Sequence, residues 1–143
     1  MMTMGRGTWV MVALALLAGG AGCGAAGNGV DTGDNSVVVI HVDIPAGLPD
    51  IFQIEVDAHL GSAGKSNTLY FPTEPQQDQP IASGATLGLL IKPSIMDILD
   101  LTIYGLDKSI HRLAVGMDQV NPIMVGGSAE RTIGLMACPA SGC

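Results

Sequence analysis

The stretch "IFQIEVDAHL", residues 51–60, alternates apolar and polar side chains along almost its whole length. Successive side chains of a β-strand point to opposite faces, so this alternation predicts a strand with one buried face. The face that we expect in the core carries Phe52, Ile54, Val56, Ala58 and Leu60. The opposite face carries Gln53, Glu55, Asp57 and His59. How often this pattern recurs decides the fold class.

The same alternation appears on both sides of this stretch. Upstream, "VVVIHVDI" at 37–44 places Val38, Ile40, Val42 and Ile44 on one face, and "PAGLPD" at 45–50 predicts a hairpin between the two strands. Downstream, further strands are predicted at 67–71, 85–91, 99–104, 110–115 and 129–137. The segment "PSIMDILDL", residues 93–101, predicts one helical turn capped by Ser94 before the strand resumes.

About seven short strands with one apolar face each predict an all-β fold. We expect a two-sheet antiparallel β-sandwich, with a closed barrel as the alternative. The pattern is similar to the immunoglobulin-like and transthyretin-like sandwich domains that follow bacterial lipoprotein signals. This resemblance is architectural and covers residues 37–137. The cysteine pair and tryptophan of antibody domains have no counterpart within that range.

The first 22 residues have the order of a secretory signal peptide. One basic residue, Arg6, precedes the apolar run Trp9–Ala18, and the small residues Gly19–Gly22 follow. The apolar run is about half the roughly 20 residues that a membrane-spanning helix requires. We therefore predict a signal peptide over residues 1–22.

The residues around Cys23 resemble the lipobox of bacterial lipoproteins. In that family a cysteine after small residues, here Ala21 and Gly22, receives a diacylglycerol and becomes the first residue of the mature protein. The resemblance implies lipidation of Cys23 and stable membrane anchoring, because each buried acyl CH₂ contributes about 0.8 kcal/mol. Gly24, which is not aspartate, implies sorting to the outer membrane. If Cys23 is not acylated, we expect a secreted protein.

The remaining chain divides by composition. Residues 23–36 are rich in glycine, alanine and aspartate and predict a flexible tether to the sandwich domain at 37–137. Residues 138–143 form a tail in which Cys138 and Cys143 can form a disulfide in an oxidising compartment. After residue 22 the chain holds five basic and thirteen acidic side chains, a side-chain charge of −8. Such a surface repels phosphate backbones, so we expect no nucleic-acid partner.

Several short motifs resemble catalytic or binding signatures. Gly64-Lys65-Ser66 ends like a phosphate-binding loop, but position 59 is His59 instead of glycine and a strand follows, so a hairpin turn is favoured. Asp31-Thr32-Gly33 resembles the aspartic protease triplet but occurs once and lies in the tether. Asp31, Asp34 and Asn35 offer oxygen ligands for calcium without the spacing of a known calcium loop.

The three histidines do not predict a zinc site. His41 and His59 would lie roughly 13 Å apart on a hairpin at ~3.4 Å per residue, which is too far for one metal, and His111 stands alone. Only Tyr70 and Tyr104 could offer rings for sugar stacking. We therefore expect a non-catalytic binding or structural module without metal or cofactor, its ligand unspecified. The alternatives are a subunit of a larger surface assembly and a small hydrolase that uses Asp31 and Asp34.

Overall fold

The computed structural model describes residues 10–11, 16–18, 35–61, 64–73, 79–92 and 96–143. Most of the predicted signal peptide, Cys23 and most of the predicted tether lie outside these residues. Every regular element within the described ranges is a β-strand. The strands are β1 (Val10–Met11), β2 (Leu16–Ala18), β3 (Ser36–Asp43), β4 (Gln53–Leu60), β5 (Lys65–Phe71), β6 (Ala85–Lys92), β7 (Met96–Leu106), β8 (Arg112–Met124), β9 (Ser128–Gly134) and β10 (Met136–Ala137).

The strands form two packed sheets, which confirms the predicted β-sandwich. One is a five-stranded antiparallel sheet with the order β10-β8-β7-β4-β5. The other has β3 between β6 and β9, and the short strands β1 and β2 pair with the outer edge of β6. We call these the five-stranded sheet and the β3 sheet.

The core lies between the sheets and is built almost entirely from aliphatic side chains. The inward faces predicted for β3, β4, β6 and β7 are confirmed, because their apolar residues are buried while their neighbours face outward. The members of this core include Val38, Ile40, Val42, Ile54, Val56, Leu60, Leu87, Leu89, Ile91, Leu101 and Ile103. Phe71 is the one aromatic ring in this cluster, as the scarcity of aromatic residues in the sequence implies.

The predicted hairpin between β3 and β4 is wrong. β3 pairs antiparallel with β6 and parallel with β9, whereas β4 pairs with β5 and β7 in the other sheet. Residues 45–50 therefore cross between the sheets. Alternation reports which side of a strand is buried but not which strand lies beside it. The parallel pairing with β9 also makes the β3 sheet mixed, where the sequence predicted antiparallel sheets.

The helical turn predicted within residues 93–101 is also wrong for the part that the structure describes. Residues from Met96 onward belong to β7, and Met96 pairs with Met124 of β8. The pairing shifts between Asp97 and Leu99, and Asp97 Oδ1 accepts a hydrogen bond from the Ile98 backbone N–H at 2.8 Å. The extra residue of this bulge lies in β8, so β7 keeps its alternation and buries Asp97 and Leu99 while Ile98 is exposed. Ser94 lies outside the described residues.

Charged side chains close one side of the sandwich. Arg131 of β9 lies opposite Ile40, which is buried, so it shares the core-facing side of its strand. Asp118 of β8 lies opposite the buried Leu101 in the same way. The Arg131 Nε atom is 3.6 Å from Asp118 Oδ2. An inward-pointing charge of this kind protects an edge strand against pairing with other chains.

Candidate binding face

The outer side of the five-stranded sheet carries three rows of polar and aromatic side chains, which we call the polar face. Cross-strand pairing sets the rows as Tyr70–Glu55–Tyr104, Thr68–Asp57–Thr102–Met117 and Ser66–His59–Asp100–Gln119. These residues occupy the outward positions that alternation predicts for β4 and β7. Directly opposed side chains in neighbouring strands are close enough to interact, so the rows are continuous across the sheet.

Arg112 organises the first row of the polar face. Its Nη2 donates to Glu55 Oε1 at 2.5 Å, and the same nitrogen lies 4.0 Å from Asp57 Oδ2. Its Cζ lies 3.7 Å from the centroid of the Tyr104 ring. The Glu55 side chain is only 8% exposed, so this ion pair is shielded from water on the carboxylate side. The arrangement combines a charge-assisted hydrogen bond with a cation–π contact.

The hydrogen bond that Arg112 donates to Glu55 raises the pKa of the Arg112 guanidinium above its usual value, and nearby negative charge adds to this effect. Burial acts in the opposite direction but is the smaller influence. Arg112 therefore keeps its positive charge at every pH at which the protein can be studied. The polar face offers one fixed cation among Glu55, Asp57 and Asp100.

A β-bulge aims Arg112 at the polar face. Gly105 pairs with Ala114, but the next residue, Leu106, pairs with Arg112, so Leu113 is an extra residue in β8. Ala114 is buried in the core, and without the bulge Arg112 would point to the same side. The bulge reverses that direction and places the guanidinium over Tyr104.

The loop between β7 and β8 is held by Asp107. Its Oδ1 accepts hydrogen bonds from the backbone N–H of Ser109 at 2.7 Å and of His111 at 2.9 Å. The Oδ2 atom lies 3.2 Å from His111 Nδ1. The hydrogen bond from the His111 backbone is the largest cause of a lowered pKa for the Asp107 carboxyl. This loop leads directly into Arg112 and so fixes where β8 begins.

The other two rows of the polar face are linked by hydrogen bonds between side chains on neighbouring strands. Thr68 donates to Asp57, and Gln119 Nε2 donates to Asp100 Oδ1 at 2.6 Å. His59 Nδ1 lies 2.7 Å from Ser66 Oγ. These contacts hold side chains of neighbouring strands in fixed relative positions. Tyr70 and Met117 remain well exposed, at 43% and 73%.

The outer side of the β3 sheet holds a hydroxyl, an imidazole and a carboxylate in contact. His41 Nδ1 lies 3.0 Å from Thr86 Oγ1, and its Nε2 lies 2.6 Å from Glu130 Oε1. A hydroxyl, an imidazole and a carboxylate in contact resemble the triad of an acyl-transfer enzyme, but such a site also requires free N–H donors to bind an oxyanion. His41 lies on β3, which pairs with a strand on each side, so the backbone N–H groups of β3 are already hydrogen-bonded within the sheet. The contacts fit a cross-strand structural network.

The structure does not bring the three histidines together. His41 and His59 lie on the outer sides of different sheets, and His111 lies in the β7–β8 loop. Their separation therefore comes from the sandwich and not from the predicted hairpin. Across the described residues no group of three or more His, Cys, Asp and Glu side chains is placed to hold a metal ion.

The remaining predicted site residues fall in three places. Cys138 and Cys143 are joined by a disulfide, with their Cα atoms 5.2 Å apart. Cys23, Asp31 and Asp34 lie outside the described residues. Residues 61–64 connect β4 to β5, which pair antiparallel as a hairpin. Gly64-Lys65-Ser66 therefore lies at the hairpin turn that the sequence favoured.

Sequence patterns did not single out Arg112 or Glu55 as parts of a site. Arg112 appears in the sequence only as one basic residue near a predicted strand, and Glu55 only as one polar residue of an alternating run. Glu55 pairs across the sheet with both Tyr70 and Tyr104, the two residues noted as candidate sugar platforms. The Glu55–Tyr70 pair follows from the local β4–β5 hairpin, but no local signal predicts that Tyr104 lies on the other side of Glu55, because β4 and β7 are far apart in sequence.

Comparisons with known proteins give no family for this chain. No protein-family model matches the sequence, and the search of curated proteins found no match. One similar solved structure is a leucine-rich repeat protein from Bacteroides thetaiotaomicron, with a TM-score of 0.47 and 16% identity. The similarity covers 74% of this chain and only 13% of that protein, and it bears on neither fold nor function. Among the described residues, no helix has the length and apolarity to cross a membrane.

Proposed function

We propose that this chain is a lipoprotein of the bacterial cell envelope, anchored at the outer membrane through Cys23, and that its sandwich is a non-catalytic binding module. The sequence order of basic start, apolar run, small residues and cysteine supports the anchor. Ser36, predicted as the last residue of the tether, is instead fully buried as the first residue of β3, so the sandwich begins before the predicted boundary. Residues 24–34 are then the segment that spaces the domain from the membrane surface.

The polar face is the binding surface in this proposal. The observation that carries it is the first row, where Glu55 lies between Arg112 on Tyr104 and the exposed ring of Tyr70. An exposed aromatic ring beside ordered hydrogen-bonding groups suits a hydroxyl-bearing ligand such as an envelope polysaccharide or peptidoglycan fragment. Tyr104 is covered by Arg112, so Tyr70 is the ring available for stacking.

The internal hydrogen bonds of the polar face support binding over catalysis. Glu55 is engaged by Arg112, Asp57 by Thr68 and Asp100 by Gln119. A general acid or base must be free to reach a substrate proton. Carboxylates that already accept bonds from neighbouring strands instead form a fixed recognition surface.

Mass spectrometry of the mature N-terminus tests the anchor. After expression in a bacterium with intact lipoprotein processing, we expect Cys23 as the first residue, carrying diacylglycerol. The Cys23→Ser variant should carry no lipid and should leave the membrane fraction. An unmodified Cys23 thiol in the wild-type protein, or recovery of that protein from the medium, would contradict the proposal.

Chemical-shift mapping tests the polar face. Soluble peptidoglycan fragments and envelope oligosaccharides are titrated into labelled protein, and we expect the largest amide shifts along β4, β5 and β7. The Tyr70→Ala variant should lose the shifts, whereas Val37→Ala, a change at an exposed apolar residue of the β3 sheet, should retain them. Amide shifts confined to the β3 sheet, or no shifts with either class of ligand, would contradict the proposal that the polar face is the binding surface.

The second candidate function is that of a subunit in a larger surface assembly. The observation that favours it is the edge of β6, where the chain's own N-terminal strands pair in parallel. The two candidates share the lipid anchor and differ in which surface meets a partner.

A further inference from the structure

The edge of β6 that faces away from β3 accepts parallel strands. Val10 and Met11 of β1 pair with Thr86 and Leu87, and β2 (Leu16–Ala18) pairs with Leu90–Lys92. Both partner strands come from the apolar segment that the proposed function removes as a signal peptide. Removal of residues 1–22 therefore leaves this edge of β6 with unpaired backbone N–H and C=O groups.

The second half of β6 is a short continuous apolar run. From Ala85 to Ile91 the strand has no charged side chain and no proline. Leu89, Leu90 and Ile91 are consecutive and all buried, at 1%, 8% and 0% exposure. A strand that faces solvent on one side alternates, whereas a continuous apolar run is typical of strands buried on both faces and paired in parallel.

The other edge strands of the sandwich carry protection that β6 lacks between Ala85 and Ile91. β9 has the inward-pointing Arg131 and its contact with Asp118. β5 presents Ser66, Asn67 and Thr68, and Pro72 follows it directly. β10 is only two residues long. Charges, proline and short length are the means by which proteins prevent edge pairing, and in β6 they are confined to its end, where Lys92 is the last residue and Pro93 follows.

We propose that β6 is a strand-acceptor site that binds one extended, uncharged, apolar segment of another envelope protein, aligned parallel to β6. The inference rests on the proposed function, because the edge opens only when residues 1–22 are removed. The chain's own β1 and β2 show the direction and register of the occupant. Main-chain hydrogen bonds supply affinity in such strand addition, and side-chain fit supplies specificity.

Hydrogen exchange of β6 amides in the processed lipoprotein, purified in detergent, tests the site. The probe is a peptide with the sequence of residues 9–18 and a lysine tail for solubility. We expect the peptide to slow exchange in residues 85–92 by at least about tenfold. A peptide N-methylated at alternate residues has the same side chains but lacks half of the donors, and it should give no protection.

Two glycine substitutions provide matched protein variants. An added side chain at Gly88 of β6 or Gly134 of β9 meets no atom within 4 Å, so both sites have room for lysine. Gly88→Lys places a charge on the acceptor edge and should abolish the protection given by the peptide. Gly134→Lys places the same charge on the opposite edge of the sheet and should leave the protection intact.

The outcomes separate this inference from the proposed function. No slowing of exchange in β6, equal slowing with the N-methylated peptide, or equal effects of the two lysine variants would overturn the acceptor site. A dimer of the processed protein with β6 already protected would also overturn it, because the occupant would be a second copy. The intact mass of the same preparation reports whether residues 1–22 are removed. If residues 1–22 are retained, the proposed function fails. In that case β1 and β2 still occupy the edge, and faster exchange of β6 amides in Gly88→Lys than in Gly134→Lys would still support strand acceptance.

Discussion

Gly116 of β8 lies against Gly134 of β9, and a Cβ atom added to Gly116 would be 2.6 Å from the Gly134 carbonyl oxygen. The same Cβ would lie 2.8 Å from Ile133 Cγ2. Both distances are below van der Waals contact, so this position has no space for a side chain. The backbone approach brings β8 of the five-stranded sheet directly against β9 of the β3 sheet.

The substitution Gly116→Ala should therefore destabilise the sandwich. Overpacking of a close contact costs about 1–3 kcal/mol of unfolding free energy, because backbone has to move. Gly88→Ala is the matched control, since no atom lies within 4 Å of its added Cβ, and it should change stability by less than about 0.5 kcal/mol. Urea denaturation followed by far-UV circular dichroism measures both variants. Equal midpoints would show that the sheets can separate at Gly116 without cost.

Removal of Arg112 should leave the Glu55 carboxylate buried without its partner. Arg112→Met is expected to lower the free energy of unfolding by about 1–3 kcal/mol. We expect a value near the lower end of this range, because Arg112 is partly exposed to water. Arg112→Lys should not restore the loss, because a lysine ammonium does not stack on Tyr104 as a planar guanidinium does. The same urea titration applies.

A double-mutant cycle separates the ion pair from general damage. Glu55→Gln combined with Arg112→Met should cost less than the sum of the single changes, with a coupling of about 1 kcal/mol or more. Strict additivity of the two substitutions would mean that the contact contributes nothing to folding.

Asp107 should give a pH-dependent contribution to stability. Its pKa is lowered in the folded protein, mainly by the hydrogen bond from the His111 backbone, so its contribution is full well above the ordinary value of 3.8. The contribution is lost as the pH falls through the lowered pKa. Asp107→Asn should therefore unfold at lower urea than wild type at pH 7, and the two midpoints should converge as the pH falls below 3.8. The exposed Asp50, changed to Asn, is the control, and a constant difference across the pH range for Asp107→Asn would be inconsistent with this linkage.

Ile110 is strained and exposed at the tip of the β7–β8 loop. Its φ angle is 62°, a conformation that β-branched residues rarely adopt, and its side chain is 65% exposed. Ile110→Gly should raise the free energy of unfolding by about 1 kcal/mol, because the relief of strain exceeds the entropic cost of glycine. Val37→Gly, in the extended backbone of β3, should lower it by a similar amount. A lower urea midpoint for Ile110→Gly would show that packing of Ile110 outweighs the strain.

The sequence by itself determined the fold class and the buried faces of the strands. Alternation over residues 51–60 predicted that Ile54, Val56 and Ala58 are buried, and all three are. The reason is local, since the period of two along a strand follows from backbone geometry alone. A β-sandwich follows once enough strands each have one apolar face.

Only the tertiary structure decided which strands are neighbours and which polar residues meet. β3 lies between β6 and β9, which are distant from it in sequence. The alternation of β3 is equally compatible with any neighbouring strand that has one apolar face. The bulge at Leu113 turns Arg112 from the core side to the polar face, where Glu55 and Tyr104 arrive from two other strands. Pairing and bulges depend on backbone hydrogen bonds between distant segments, and those bonds leave almost no trace in local side-chain patterns.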